Sequence, residues 1–184
     1  IGLTYQREQQ VTAWHRHIFG GVFGAGNAVC ESVAVIPTDD TEYEVYVIIK
    51  RTINGATRRF VEYINNFDFT ETDNTTFNFL DSALAYSGSA VTTISGLDHL
   101  EGQTVSVLAN GATHPDKTVS SGSITLDRSS TNVKVGLSYS SILQTMRLDA
   151  GSQNGTSQGK TKRIYEITIR LYESVGVEVG ESLD

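Results

Sequence analysis

Apolar residues recur at every second position along much of this chain, the spacing that places them on one face of a β-strand. In residues 43–49, Tyr43, Val45, Val47 and Ile49 share one face, with Glu44, Tyr46 and Ile48 on the other. Residues 57–64 repeat the pattern. Asn54-Gly55 between the two runs predicts a tight hairpin, because both residues tolerate positive φ. Upstream, residues 4–18 alternate as a single run, with Val11, Ala13, His15 and His17 together and Thr12, Trp14, Arg16 and Ile18 opposite. The glycine-rich stretch 20–27 then predicts a hairpin loop leading into a strand over 28–36, stopped by Pro37. Residues 4–65 therefore predict four strands in sequence order, a meander of the kind found in a propeller blade or in one sheet of a sandwich.

The pattern changes after about residue 70, where Ser, Thr, Gly and Asp dominate and the strands shorten. Strands are expected at 103–109, 123–127 and 132–137, with turns at Asn110-Gly111, Ser121-Gly122 and Asp127–Thr131. Short strands at such intervals predict a small barrel or sandwich. Residues 149–161 hold three glycines without apolar period and read as a loop. A last strand is expected over 164–172, where Tyr165, Ile167, Ile169 and Leu171 alternate with Glu166, Thr168, Arg170 and Tyr172. The only helical candidates are short pieces at Phe79–Ala85 and Ser140–Met146, neither combining caps with period. The fold class is thus all-β: an antiparallel, propeller-blade-like sheet from residues 1–75 plus 160–184, interrupted by a small barrel or sandwich over 76–159.

Composition agrees with strands and turns. Hydrophobic residues make up 39% of the 184, while seven Phe, eight Tyr and one Trp supply bulky core material. The formal net charge of −7 disfavours general binding to phosphate backbones. The basic pairs Lys50-Arg51, Arg58-Arg59 and Lys162-Arg163 are too short to reverse that and read as solvated strand faces or local ion pairs. Cys30 stands alone, which excludes an internal disulfide and a cysteine-based zinc site; a small buried thiol is the expectation. No apolar run approaches the length of a membrane span and no signal peptide is visible. The chain opens at Ile1, already near a strand pattern, and so reads as a fragment or processed chain.

The sharpest chemical candidate is His15-Arg16-His17. Histidines two apart on a strand face the same way, and such pairs hold metals in some β-barrel enzymes. The sequence names no third ligand, so His15 and His17 are weak metal candidates and an ordinary surface pair is the expectation. Asp98-His99-Leu100-Glu101-Gly102 reads as a turn pinned by Leu97 and Leu100, and His114-Pro115-Asp116 as a Pro-fixed loop. There is no Gly-x-Ser-x-Gly elbow, and the glycines at 20–26 lack phosphate-cradling spacing. Asn74-Thr75-Thr76 and Asn154-Gly155-Thr156 match the N-glycosylation pattern, which matters only in a eukaryotic secretory setting. No catalytic residue and no cofactor is assigned.

Several stretches, spread in order over most of the chain, resemble a known family. They are Tyr5–His17, Glu31–Pro37, Val47–Gly55, Gly96–Val105 and Gln158–Ile164. In them the chain resembles tail or head-to-tail connector proteins of phages and prophages, related to tail tubular or nozzle proteins. The resemblance implies propeller-blade-like strands with an inserted small barrel, one sometimes likened to a domain of ubiquitin-activating enzymes. That likeness is one of fold, since no adenylation motif is present here. It also implies a non-catalytic structural role in the virion tail, after assembly in the bacterial host cytoplasm. The implied partners are copies of the same chain in a ring or tube, other tail proteins, and DNA that passes without specific binding. Strand edges at 43–50 and 164–172 would then be interface elements.

Two further classes compete. A carbohydrate- or receptor-binding module of a tail would use Tyr86, His99, His114 and Tyr139 as sugar-contact residues, although these are equally ordinary loop residues. A polysaccharide-degrading enzyme is not favoured by any motif.

Overall fold

The structure is a computed structural model that describes residues 1–8, 10–38, 43–65, 73–144, 161, 163–171 and 177–180. The chain falls into two compact units, Ile1–Ser140 and Ser141–Asp184. Every sheet of the described residues lies in the first unit and every ladder is antiparallel. The all-β expectation holds. Among the described residues, no helix is long and apolar enough to cross a membrane.

The N-terminal run is not one strand. It folds back as a hairpin of β1 (Gly2–Gln6) and β2 (Val11–His15), with Gln10 at a positive φ of 55° just before β2. Alternation alone does not reveal a reversal that keeps the side-chain phase. A minimal hairpin, β3 (Val22–Phe23) and β4 (Gly26–Asn27), comes next in the glycine-rich stretch, as expected.

A three-stranded meander succeeds it: β5 (Val29–Pro37), β6 (Tyr43–Ile53) and β7 (Ala56–Ile64), in spatial order β5-β6-β7. Asn54 and Gly55, at φ 48° and 73°, form the expected two-residue turn between Ile53 and Ala56. Only residues with an easy left-handed conformation match that turn to the strand twist. Val47, Ile49 and Ile53 on one face of β6 are buried. β5, at the sheet edge, is exposed along all nine residues. Cys30 is therefore exposed rather than buried, a correction: among the described strands, its own strand has a neighbour on one side only.

The remaining strands, β8 (Asp81–Ser95), β9 (Thr104–Ala109), β10 (Ala112–Thr118) and β11 (Ser123–Leu137), form a second sheet of order β10-β9-β11-β8. That order has two ends, so the described strands make an open sheet and not a closed barrel. The helix considered at Phe79–Ala85 is the start of β8, and residues 141–144 are not helical; Met146 lies outside the described residues. The turn expected at Asp127–Thr131 is a bulge. β11 runs through it, with register shifts between Thr125 and Asn132.

The sequence shows why the bulge is there. Ile124 and Leu126 are even-numbered and buried, whereas Val133, Val135 and Leu137 are odd-numbered and buried. An extra residue inserted between the two sets restores both to the core face. The resulting bend lets both halves of β11 join one cluster with Ile94, Leu97, Leu100, Val105, Val107, Ala109 and Val119. Each large buried aliphatic side chain there contributes about 1.5–3 kcal/mol.

The hairpin at Asn110-Gly111 and the turn at Ser121-Gly122 form as expected. At Gly122, φ is 66° and an added Cβ would sit 2.6 Å from Asp98 Oδ1, so a side chain there is strained and displaces Asp98.

In the second unit, residues 163–171 carry the alternation expected of a strand but pair with no other described strand. The expected strand at 164–172 is thus not formed there; Tyr172 lies outside the described residues. A β-run without a paired neighbour has no ladder to stabilise it.

Candidate functional site

Three places gather polar or exposed apolar side chains with chemical potential: the histidine pair, a buried ionic cluster, and the free edge of the three-stranded sheet.

His15 ends β2 and His17 lies just beyond it, and their rings meet edge to face with centroids 4.7 Å apart. The sequence expectation that the two lie together holds. Partial burial, then the His15 ring, lower the His17 imidazole from its ordinary value, while Asp81 pulls it the other way. Among the described residues, no cluster of three or more His, Cys, Asp or Glu has a metal-holding arrangement. Two imidazoles alone leave a transition metal under-coordinated.

The buried cluster lies where the glycine-rich loop meets both sheets. Arg51 is 0% exposed and paired with Glu62, so of the two readings of its basic pair the local ion pair holds and the solvated face does not. Its Nε donates to Gly20 O at 2.8 Å, and its two terminal nitrogens fork onto the Glu62 carboxylate, Nη2 to Oε2 at 3.1 Å. Asp81, the first residue of β8, accepts from the Gly20 N–H at 2.5 Å through Oδ2. Burial raises the Asp81 carboxyl above its ordinary value, against the lowering effect of the Gly20 bond and Arg51. One loop residue is thus held by its N–H from β8 and by its C=O from β6. Arg51 is paired with Glu62 and Asp81 is bound by a backbone N–H, so the arrangement is a clamp between sheets.

Sequence reasoning missed this cluster, although one signal was present. Arg51 comes after Val45, Val47 and Ile49 and precedes Ile53 on the same alternating face. A cation in an apolar row needs a buried partner.

Of the residues considered for sugar contact, His114, His99 and Tyr86 make hydrogen bonds within the chain. His114 is only 6% exposed and belongs to β10 rather than a loop. Its Nδ1 lies 2.8 Å from Pro115 O, and its Nε2 accepts the Asp127 N–H at 2.9 Å. Those bonds call for a neutral ring with its proton on Nδ1. His99 sits in a short 3-10 turn, Asp98–Leu100, with Nε2 3.0 Å from Ser82 O and its ring edge-on to Phe60. That turn is pinned as expected: Leu97 and Leu100 are fully buried, and Glu101 accepts the N–H groups of Ser121 and Gly122. The Tyr86 hydroxyl donates to Ser89 O at 2.7 Å. Tyr139 is raised above its ordinary value by burial, then by Asp81, placing it near the ionic clamp. Of the two glycosylation matches, Asn74 donates to Gly111 O at 3.3 Å, and Asn154 lies outside the described residues.

The third place is the sheet β5-β6-β7. Past the part covered by buried Val47 and Ile49, it exposes apolar side chains on both faces. Val33 (60% exposed), Val35 (59%), Tyr43 and Ile64 lie on one face, and Ile36, Ile48, Val61 (72%) and Tyr63 on the other. Charge is concentrated at the far end, where Glu31 binds Lys50 at 2.8 Å and Arg59 at 2.7 Å. Those two cations, Arg59 first, hold the Glu31 carboxyl down at about 2.

No protein-family model matches this chain, and no curated protein matches it.

Proposed function

We propose that this chain is a non-catalytic structural module of a self-assembling particle, a component of a phage or prophage tail. In this role it associates with copies of itself and with neighbouring tail proteins in the virion, and it is made in the bacterial host cytoplasm. The observation that carries the proposal is the apolar, two-faced end of the sheet β5-β6-β7, whose β5 edge is open among the described residues.

Folded monomers rarely leave a contiguous apolar surface uncovered, and such a surface marks an interaction site. Edge strands of monomers are usually defended by lysines or inward charges. Ser32-Val33-Ala34-Val35-Ile36 has none, and among the described residues its defences are the bulge between Cys30 and Ser32 and the terminal Pro37. The tail context rests on the resemblance carried by Tyr5–His17, Glu31–Pro37, Val47–Gly55, Gly96–Val105 and Gln158–Ile164. The buried clamp adds support of a different kind, because its charges hold two sheets and a loop in fixed geometry, as an assembly module requires.

The test is the mass of the chain in solution by light scattering across concentration, with negative-stain imaging. Rings, tubes or a defined oligomer are expected. A monomer at every concentration overturns self-assembly, and selective binding on a glycan array would put a carbohydrate-binding role in its place.

A further inference from the structure

We propose that Asn54, at the tip of the β6–β7 hairpin, is a site of spontaneous conversion to isoaspartate, while Asn110, in a hairpin turn of the same kind, is protected from it. The chemistry goes beyond the assembly role and does not depend on it.

An asparagine followed by glycine is open to attack on its side-chain amide by the backbone nitrogen of the glycine, because no Cβ crowds that nitrogen. The glycine nitrogen gives up its proton and bonds to the asparagine Cγ, and the Cγ–N bond of the side-chain amide breaks with release of ammonia. The cyclic imide that results takes up one water at either carbonyl. One opening yields aspartate; the other yields isoaspartate, in which the main chain runs through the former side-chain carbonyl. Solvent water is the only co-reactant.

Asn-Gly occurs in the sequence at 54–55, 110–111 and 154–155, the last outside the described residues. The first two are a matched pair. Each is a two-residue turn between antiparallel strands, β6 to β7 and β9 to β10, with φ of 48° and 73° in one and 52° and 72° in the other. Their φ angles therefore do not separate them; their surroundings do. Asn110 Oδ1 accepts three hydrogen bonds, from Thr131 N at 3.1 Å, Thr131 Oγ1 at 3.2 Å and Asn132 N at 3.0 Å. The Asn110 N–H also donates to Asn132 O at 2.7 Å. Gly111 is covered by Asn74, which donates to Gly111 O and stands where a Cβ added at Gly111 would fall.

Asn54 has none of these restraints. It is exposed, its side chain makes no hydrogen bond among the described residues, and nothing lies within 4 Å of a Cβ added at Gly55. The Asn110 Cγ can swing onto the Gly111 nitrogen only after its three bonds break, so conversion at Asn54 is about tenfold or more faster. The product matters to the fold. Isoaspartate adds one carbon to the main chain of a turn that has only two residues, and it adds a carboxylate, which together loosen the closing pair Ile53 and Ala56.

The experiment incubates the intact chain at mildly alkaline pH and follows both sites by peptide mapping with mass spectrometry, with enzymatic methylation to tell isoaspartate from aspartate. In the folded chain isoaspartate is expected to accumulate at Asn54 about tenfold or more faster than at Asn110, and in urea, where neither side chain is held, the two rates are expected to converge. Asn54→Gly, which keeps a residue suited to the turn, is expected to remove the fast phase while the circular dichroism stays that of the wild type. Equal rates at the two sites in the folded chain, or faster conversion at Asn110, overturn the protection. Conversion of Asn54 in urea alone overturns the site, because the hairpin then shields both asparagines. A fast phase that persists in Asn54→Gly also overturns it.

Discussion

Removing the Arg51 side chain is the sharpest perturbation the fold offers. In Arg51→Ala the Glu62 carboxylate loses both forked donors, Gly20 O loses its Nε donor, and Asp81 keeps the burial that raises it but loses the cation that offsets it. Breaking a buried pair from one side costs about 3–5 kcal/mol, because the remaining charge stays desolvated. At a slope of about 2 kcal/mol per molar urea, the unfolding midpoint falls by about 2 M. Equilibrium urea unfolding monitored by circular dichroism and tryptophan fluorescence measures it directly. The double variant Arg51→Met/Glu62→Leu should recover most of the loss, since replacing both charges with apolar groups is often neutral. A residual deficit of about 1–3 kcal/mol is expected from the unpaired Gly20 carbonyl. A loss below about 1 kcal/mol in Arg51→Ala would place the pair in the range of exposed salt bridges and refute the clamp.

The same geometry sets three other outcomes. His114→Ala removes the acceptor of the Asp127 N–H beside the β11 bulge and should cost about 1–3 kcal/mol in thermal or urea unfolding, whereas a surface substitution such as Thr113→Ala should cost little. Gly122→Ala forces a Cβ towards Asp98 at a positive φ and should destabilise by more than about 1 kcal/mol; pairing it with Asp98→Ala should relieve the clash but not the backbone strain. Glu31, ordinarily near 4.5, should titrate at about 2 by NMR. Its folded value is the lower one, so its contribution is complete above about 4.5 and is lost as pH falls towards about 2. A Glu31 midpoint near 4.5 in the folded chain would show that the Lys50 and Arg59 contacts do not persist in solution.

The local grammar of this protein was legible in its sequence. Asn54-Gly55, Asn110-Gly111 and Ser121-Gly122 mark turns because few other residues accept positive φ in succession, and period-two alternation marks β6, β7 and β9 because a pleated strand has two faces. His15 and His17 do lie together, although His17 stands just beyond the strand that this rule assumes. Tertiary structure decided the rest. The phase slip at residues 127–131 is compatible with either a turn or a bulge, and only a shared core for both halves of β11 selects the bulge. Alternation at 164–172 states a capacity to pair, and pairing depends on a neighbour that the segment itself does not specify. The basic pair of Arg51 reads as a solvated face or a local ion pair because charge is local in sequence, whereas its partners Gly20 and Glu62, and the Asp81 that shares Gly20, are gathered from a loop and two sheets. Periodicity determines which face a residue occupies; only packing determines what that face meets.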